Sequence, residues 1–339
     1  MYFIFGGLRP YAGGEEEEVM RPTCLMVLAI LGLTGAEATA QVWPTRPIRA
    51  IVPFSAGSNT DIVARVVVDR LAGQLGQSIV VENRVGAGGT IGAAAVAKSD
   101  PDGYTVLIIS AAHTVIPSFY PNLTYDPARD FSAVIPLGNA PNVVVVSPPR
   151  GFKTVNDLVV AARAKPGTLN VSGGGVGTGN HMSAERFRTS AGIDVLYVPF
   201  KGGPEAMSEV LAGRLDFSLL PVGLVLPHVR DGTLLALAVN SPQRSSALPE
   251  VPTLAECGFI DADYELWAGM FVPARTPREI VDKLHRETRK ALQAPHVQEK
   301  LTTLGVEPMA MTPAQFDARV KREIGINAAL IKAAGIKAN

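Results

Sequence analysis

The sequence predicts an α/β protein built as two domains facing a common ligand cleft, and three observations carry that prediction. Short apolar runs alternate with segments of helical period, the order expected of parallel strands joined by helices. The alternation breaks over a proline-rich stretch near 111–131 and then restarts. Each half opens with a glycine-rich loop between an apolar strand and a helix. The first is Phe54-Ser55-Ala56-Gly57-Ser58-Asn59-Thr60-Asp61; the second is Ser172-Gly173-Gly174-Gly175-Val176-Gly177-Thr178-Gly179-Asn180-His181. A helix that starts at such a loop presents unpaired N–H groups and the positive end of its dipole, a ready place for an anion. Two of them in separate halves predict two domains gripping one anionic molecule.

The elements follow in order. Ile48 to Pro53 reads as a buried strand, and Ile62, Val63, Val66, Val67, Leu71 and Leu75 then recur at helical spacing until Gly76. Ser78 to Glu82 is a second strand, Asn83 to Gly92 a structural glycine turn, Ala93 to Lys98 a helix, and Tyr104 to Ile109 a third strand after the Asp100-Pro101-Asp102-Gly103 turn. This order predicts a parallel sheet. Phe131 to Ser147 reads as one strand crossing between domains. Helices are expected at Val155 to Ala164, His181 to Ser190 and Glu205 to Ala212, with strands at Leu169 to Val171, Val195 to Pro199, Leu215 to Leu220 and Leu234 to Asn240. The last of these crosses back, and the helices Pro277 to Leu292 and Pro313 to Ala334 close the first domain. The expected division is 44–140 plus 241–339 for one domain and 141–240 for the other.

Composition narrows the function. Of 339 residues, 47% are hydrophobic and 18% charged, which is the balance of a packed globular chain. Lys+Arg and Asp+Glu number 31 each, so no basic excess exists to hold a nucleic acid, and aromatics at 6% are few for stacking bases. The N-terminus reads as an export signal over 20–40: Arg21, the apolar run Cys24 to Leu33, and the Ala38-Thr39-Ala40 cleavage site before Gln41. The run is short for a membrane span. Residues 1–19, with the acidic run Glu15 to Glu18, do not fit a signal and are read as a misassigned upstream extension ahead of Met20, the alternative being a disordered acidic extension. Once Cys24 leaves with the signal, Cys257 stands alone and forms no internal disulfide.

No catalytic pattern emerges. Gly86 to Gly92 fails the dinucleotide fingerprint at Ile91, and no phosphate loop, nucleophile elbow or H-E-x-x-H occurs. His113, His181, His228, His285 and His296 show no ligand spacing, so neither metal nor cofactor is expected. In the first loop Ser55, Ser58, Asn59 and Thr60 add hydroxyl and amide donors around Ala56 and Gly57. Asp61 would repel an anion directly, and is expected to cap the helix or hold a bridging water. In the second loop Ser172, Thr178 and Asn180 are the donors, and Gly175, Gly177 and Gly179 let backbone approach a ligand. His181 either caps its helix or lines the cleft. Neither loop holds an arginine, which suits a carboxylate that must be released again better than a phosphate.

The mature chain resembles the Bug receptors, the extracytoplasmic solute-binding components of tripartite tricarboxylate transporters. The resemblance runs from Trp43 to Ile336. It rests on Pro44-Thr45-Arg46-Pro47, Ile51-Val52-Pro53-Phe54 with Thr60-Asp61-Ile62, Val81-Glu82-Asn83-Arg84, Pro101-Asp102-Gly103-Tyr104, Pro117-Ser118-Phe119-Tyr120, Leu248-Pro249-Glu250-Val251-Pro252-Thr253 and Trp267-Ala268-Gly269. It implies a two-domain Venus-flytrap fold of the type II periplasmic-binding-protein kind, a periplasmic location after cleavage behind Ala40, and a monomer. It implies a receptor for a small carboxylate; the aspartate missing at Leu220-Pro221 turns the expectation from an amino acid toward a di- or tricarboxylate or an aromatic carboxylate, and with no base beside a nucleophile no enzyme activity is expected. Thr60 with the amides around Ser58 and Asn59 would form one jaw, and Thr178 with the amides around Gly177 and Gly179 the other. Asp61 would order water, and Ser110, His113 and Pro221 would line the cleft. The implied partners are membrane permease subunits; the alternatives are a sensor protein or, on the same scaffold, a periplasmic enzyme. The chain departs from the usual pattern at Phe200, where tyrosine is frequent, and at Leu220-Pro221, where many relatives carry an aspartate.

Overall fold

The computed structural model describes residues 13–14, 43–200 and 202–336. The described strands and helices all belong to the unit formed by residues 43–339. The signal segment and its cleavage site lie outside the described residues, as does all of the upstream extension but Gly13 and Gly14.

Strand β1 (Ile48–Val52) is buried on both faces except at Arg49, as a central strand of an α/β sheet must be. Helix α1 (Asn59–Leu75) starts at the Ser58 cap and stops at Gly76, whose φ of 67° is left-handed. Then come β2 (Ile79–Asn83), α2 (Thr90–Ala97), β3 (Thr105–Ser110), α3 (Ala112–Phe119), β4 (Phe131–Asn139) and β5 (Asn142–Val146). Helix α4 (Val155–Ala164) opens on a Thr154/Asp157 capping box. It is followed by β6 (Asn170–Ser172), α5 (Gly179–Ala191), β7 (Leu196–Tyr197), α6 (Gly203–Leu211), β8 (Phe217–Pro221), α7 (Val222–Arg230) and β9 (Leu235–Val239). The last elements are β10 (Trp267–Pro273), α8 (Arg278–Leu292), α9 (Pro295–Thr303) and α10 (Pro313–Ala333).

The strands make two five-stranded sheets, ordered β2-β1-β3-β10-β4 and β7-β6-β8-β5-β9. Each sheet with its helices is a lobe. In the first, Val63, Val67 and Leu71 of α1 and Leu284 of α8 cover one face, and Val96 of α2 with Phe316 and Val320 of α10 cover the other. In the second, Leu158 of α4 and Phe187 of α5 lie on one face, and Val210 of α6 with Val225 of α7 on the other.

Two expectations are corrected. The sheets are mixed, not purely parallel: β10 runs antiparallel to β3 and β4, and β5 antiparallel to β8 and β9. The segment 131–147 is two strands, one in each sheet, not one. Pro141 between them has no N–H for a ladder, and its carbonyl instead accepts from Val222. The lobes are joined through 139–142 and again through 240–266. Asn240 ties both connections together: its Oδ1 accepts from the Asn142 N–H at 2.9 Å, and its Nδ2 donates to Ser183 Oγ and to the Tyr264 carbonyl. An apolar cluster of Val115, Met182, Tyr264 and Ile331 packs α3, α5 and α10 together at the junction. There α7 also meets the turn after α9 backbone to backbone, since a Cβ on Gly223 would strike the Leu304 carbonyl.

Candidate functional site

The two glycine loops fold alike, residue for residue. Gly57 and Gly177 take left-handed φ values of 79° and 77°, open to glycine at no steric cost. The Ser58 N–H donates to the Ser55 carbonyl at 3.0 Å and the Thr178 N–H to the Gly175 carbonyl at 3.2 Å. Ser58 Oγ caps the Asp61 N–H, and Thr178 Oγ1 caps the His181 N–H, each at 3.3 Å. The third helical residue then reaches back. Asp61 Oδ2 accepts from the Gly57 N–H at 2.8 Å, and His181 Nδ1 accepts from the Gly177 N–H at 3.0 Å. After these bonds, the amides of Asn59 and Thr60 at the start of α1, and of Gly179 and Asn180 at the start of α5, have no partner among the described residues. Each loop thus offers one pair of open N–H groups with a helix dipole behind it.

The third-residue caps differ in charge. Burial alone would raise the Asp61 carboxyl. Hydrogen bonds from Arg65, Asn83 and Gly57 outweigh burial and hold it below the usual carboxylate range. Arg65 Nε reaches Asp61 Oδ2 at 3.0 Å, and Asn83 Nδ2 reaches Oδ1 at 2.8 Å while also holding the Phe54 carbonyl. Asp61 therefore braces the loop. His181 also acts as a cap. Because its Nδ1 accepts, its proton sits on Nε2, which faces Glu185 Oε1 at 3.6 Å. Glu185 would be raised by burial, but bonds from His181 and Arg188 pull it below its ordinary range. The Tyr197 ring packs on His181 at 4.1 Å between centroids, and its hydroxyl takes the Gly173 N–H and gives to the Gly174 carbonyl. Burial pushes that phenol up to about 12.

Several expected donors turn inward. The Thr178 hydroxyl donates to the Gly175 carbonyl at 2.8 Å, Ser172 Oγ accepts from the Gly174 N–H, and Asn180 Nδ2 donates to the Gly173 carbonyl while its Oδ1 accepts from Asn142 Nδ2. These side chains shape the loop, and what stays unpartnered at the helix start is the backbone N–H pair. Ser55, Ala56 and Gly57 are exposed and Ser58 half-buried. Thr60 keeps only 7% of its surface. Ser110 Oγ accepts from the Ala112 N–H at the start of α3, and Pro221, half-buried, ends β8 opposite Asn142.

His113 is a correction. It is fully buried in the first lobe, its Nε2 on the Pro127 carbonyl at 3.2 Å and its ring against Phe131 and Phe271. It is a core residue and does not line the cleft, because the face of α3 that carries it packs on the sheet. Burial lowers its pKa from 6.5 to about 4. Between those values the unfolded chain binds the proton and the folded one does not, so stability falls as pH drops through that window. The loss expected from this group between pH 7 and 5 is roughly 2 kcal/mol. Denaturant unfolding of His113→Gln across that range should show a flatter pH profile than the parent.

A cavity of about 220 Å³ lies where the lobes meet, bordered by Phe54 and Gly88, by Ala112, Val115, Ile116, Phe119 and Tyr120, and by Val176, Gly177 and Thr178. The Phe119 ring would lie 3.3 Å from a Cβ on Gly177. Of the expected site residues, Gly177 and Thr178 border this space; Ser58, Asn59 and Thr60 do not. Phe54, Phe119, Tyr120, Val176 and the loop brace Tyr197 carry no donor-loop signal in the sequence, although Phe54 and the Phe119-Tyr120 pair stand inside the stretches that carry the family resemblance. A larger cavity of about 680 Å³ lies between α8, α9 and residues 306–312, and no residue of either loop lines it. Among the described residues no cluster of His, Cys, Asp and Glu could hold a metal, and no helix is long and apolar enough to cross a membrane.

Residues 63–336 match the family described as the tripartite tricarboxylate transporter family receptor. Protein BugT of Bordetella pertussis is 34% identical over 319 residues, which is 92% of this chain and 98% of BugT. Among solved structures, the periplasmic binding protein BugD is similar at a TM-score of 0.73 and 31% identity, covering 87% of this chain and 99% of its own. An R. palustris protein with adipate is similar at 0.75 and 33%, covering 87% and 99%. MatC from Rhodopseudomonas palustris with bound malate is similar at 0.72 and 30%, covering 85% and 100%.

Proposed function

The chain belongs to the tripartite tricarboxylate transporter receptor family, with the fold of its periplasmic binding proteins, and from that premise we propose that it is an extracytoplasmic receptor for a small carboxylate. The observation that carries this reading is the pair of equivalent loops, each with two open amides at a helix N-terminus and no cation. Neutral amides aligned with a helix dipole hold a carboxylate by hydrogen bonds without the tighter grip of a guanidinium. Two similar proteins are described with adipate and with malate.

In this reading the domains 44–140 plus 241–339 and 141–240 rotate about the connections near 139–142 and 240–266. Both amide pairs engage one ligand only when the lobes are together, so the ligand favours the closed state by its extra contacts there. The closed monomer then delivers the ligand to permease subunits from the periplasm, and no chemistry is performed on it.

The test is native mass spectrometry of the exported protein, followed by a thermal-shift series with carboxylates. A fitting acid at about a hundred times its dissociation constant should stabilise the protein by about 2.7 kcal/mol, a rise of roughly 5 °C. No shift with any di-, tri- or aromatic carboxylate, and no co-purifying acid, would refute the proposal.

A further inference from the structure

Resting on the carboxylate-receptor reading, we infer that the ligand of this chain is a monocarboxylate with an apolar, ring-sized body, and that the body lies against Phe54, Phe119, Tyr120 and Val176. The cavity between the lobes carries the inference. At about 220 Å³ it has room for one six-membered ring with its carboxyl group. Aromatics are 6% of the chain, yet three of them converge on this one space, joined by Val115 and Ile116. No charged side chain borders it among the described residues.

Polar side-chain atoms are nearly absent from the wall. The Thr178 hydroxyl is engaged twice inside its own loop, which leaves the Tyr120 hydroxyl, close to Gly88. A second carboxylate placed here would lose its water and meet no cation or row of donors in exchange, which is the costly case for a buried charge. A hydrocarbon ring loses nothing there and gains apolar burial.

The two jaws also differ in the way this ligand requires. The first turn of α5 carries no acid, whereas the first turn of α1 carries Asp61. The α5 dipole is thus uncompensated, and Gly177 and Thr178 at its start border the cavity. The single carboxylate takes the Gly179 and Asn180 amides and, as the lobes close, the Asn59 and Thr60 amides on its other side, and the ring extends from there toward Phe119 and Phe54.

Titration calorimetry on the mature chain tests this with benzoate, cyclohexanecarboxylate, malate, adipate and citrate, and with benzyl alcohol as an uncharged ring. The ring acids should bind at least about tenfold more tightly than malate, adipate or citrate, and benzyl alcohol should not bind detectably. Val176→Arg places a cation at the exposed loop tip without touching the core. It should raise the affinity for adipate or malate by about tenfold and weaken benzoate. Tighter binding of malate, adipate or citrate than of the ring acids would overturn this inference and leave the carboxylate reading standing. Unchanged affinities in Val176→Arg would overturn the placement of the body in this cavity. Failure of every acid would remove the carboxylate reading, and this inference with it.

Discussion

Asp61→Ala is expected to lower the unfolding free energy by about 3 kcal/mol and to weaken ligand binding at least about tenfold. The carboxylate is almost wholly buried and receives three hydrogen bonds, from the Gly57 N–H, Arg65 Nε and Asn83 Nδ2. Bonds to a charged acceptor contribute about 1.5–3 kcal/mol each when partners are left without replacement. Here the loss is softened, because Gly57 is exposed, Arg65 is half-exposed, and Asn83 keeps the Phe54 carbonyl. The favourable charge at the α1 N-terminus adds about 0.3–1 kcal/mol. Binding falls because the Gly57 N–H bond fixes the turn that aims the Asn59 and Thr60 amides. The same residue gives an acid signature. Its pKa is held below the ordinary 3.8, so its contribution is complete above that value and is lost as pH falls through the folded value. Denaturant unfolding at pH 7 and near pH 3 should therefore show the difference between parent and Asp61→Asn shrinking in acid. An Asp61→Ala variant within about 0.5 kcal/mol of the parent at pH 7 would mean that the brace is dispensable.

Much of the fold was legible because it is local. The apolar spacing from Ile62 to Leu75, the Gly76 stop and the two glycine loops each concern residues close in sequence, and the capping choice of Ser58 and Thr178 is a property of one turn. The strand β10 was not legible as a partner of β3 and β4. Its residues Trp267 to Pro273 form a continuous apolar run, but insertion into a sheet begun more than a hundred residues earlier is a non-local event, and Gly269 and Pro273 weaken the strand signal. Helix α7 was hidden by Pro227, and the break at Pro141 by the apolar residues on either side of it.

The two glycine loops were legible as strand-to-helix turns, but the direction of their side chains was not. Serine, threonine and asparagine in a loop read as donors for a ligand. Whether a hydroxyl faces out or closes its own turn depends on the turn's conformation, and Thr178, Ser172 and Asn180 all close the turn. His113 carried a usable sign in its setting: Val115 and Ile116 follow it on a short apolar helix, the surroundings of a core histidine. The aromatic wall was out of reach, since Phe54 and Phe119 are far apart in sequence and border one cavity only in the folded chain.

The second large effect is expected at Gly173, a residue without any functional group. A Cβ there would lie 2.8 Å from the Asn180 carbonyl oxygen, 2.9 Å from Asn180 Cβ and 2.9 Å from the Leu219 carbonyl oxygen. Two of these are backbone atoms, one in α5 and one in β8, so neither can rotate away. Gly173→Ala must push the loop off the start of α5, straining the Gly173 N–H bond to Tyr197 and the Asn180 bond to the Gly173 carbonyl. Overpacking of this kind costs about 1–3 kcal/mol, and the displaced Gly179 and Asn180 amides should lose ligand affinity by about tenfold or more. Gly175 is the matched control two residues on. A Cβ there finds only the Phe200 carbonyl at 3.5 Å and Thr178 Cγ2 at 3.7 Å, and its φ is not positive. Gly175→Ala should therefore leave stability unchanged or raise it by about 0.4–1 kcal/mol through the less flexible unfolded chain. Opposite signs in the two melting-temperature shifts would show that the second loop needs glycine at 173 for close backbone packing and not for flexibility. Equal losses at both positions would show instead that the space around a Cβ does not set the cost of substitution in this loop.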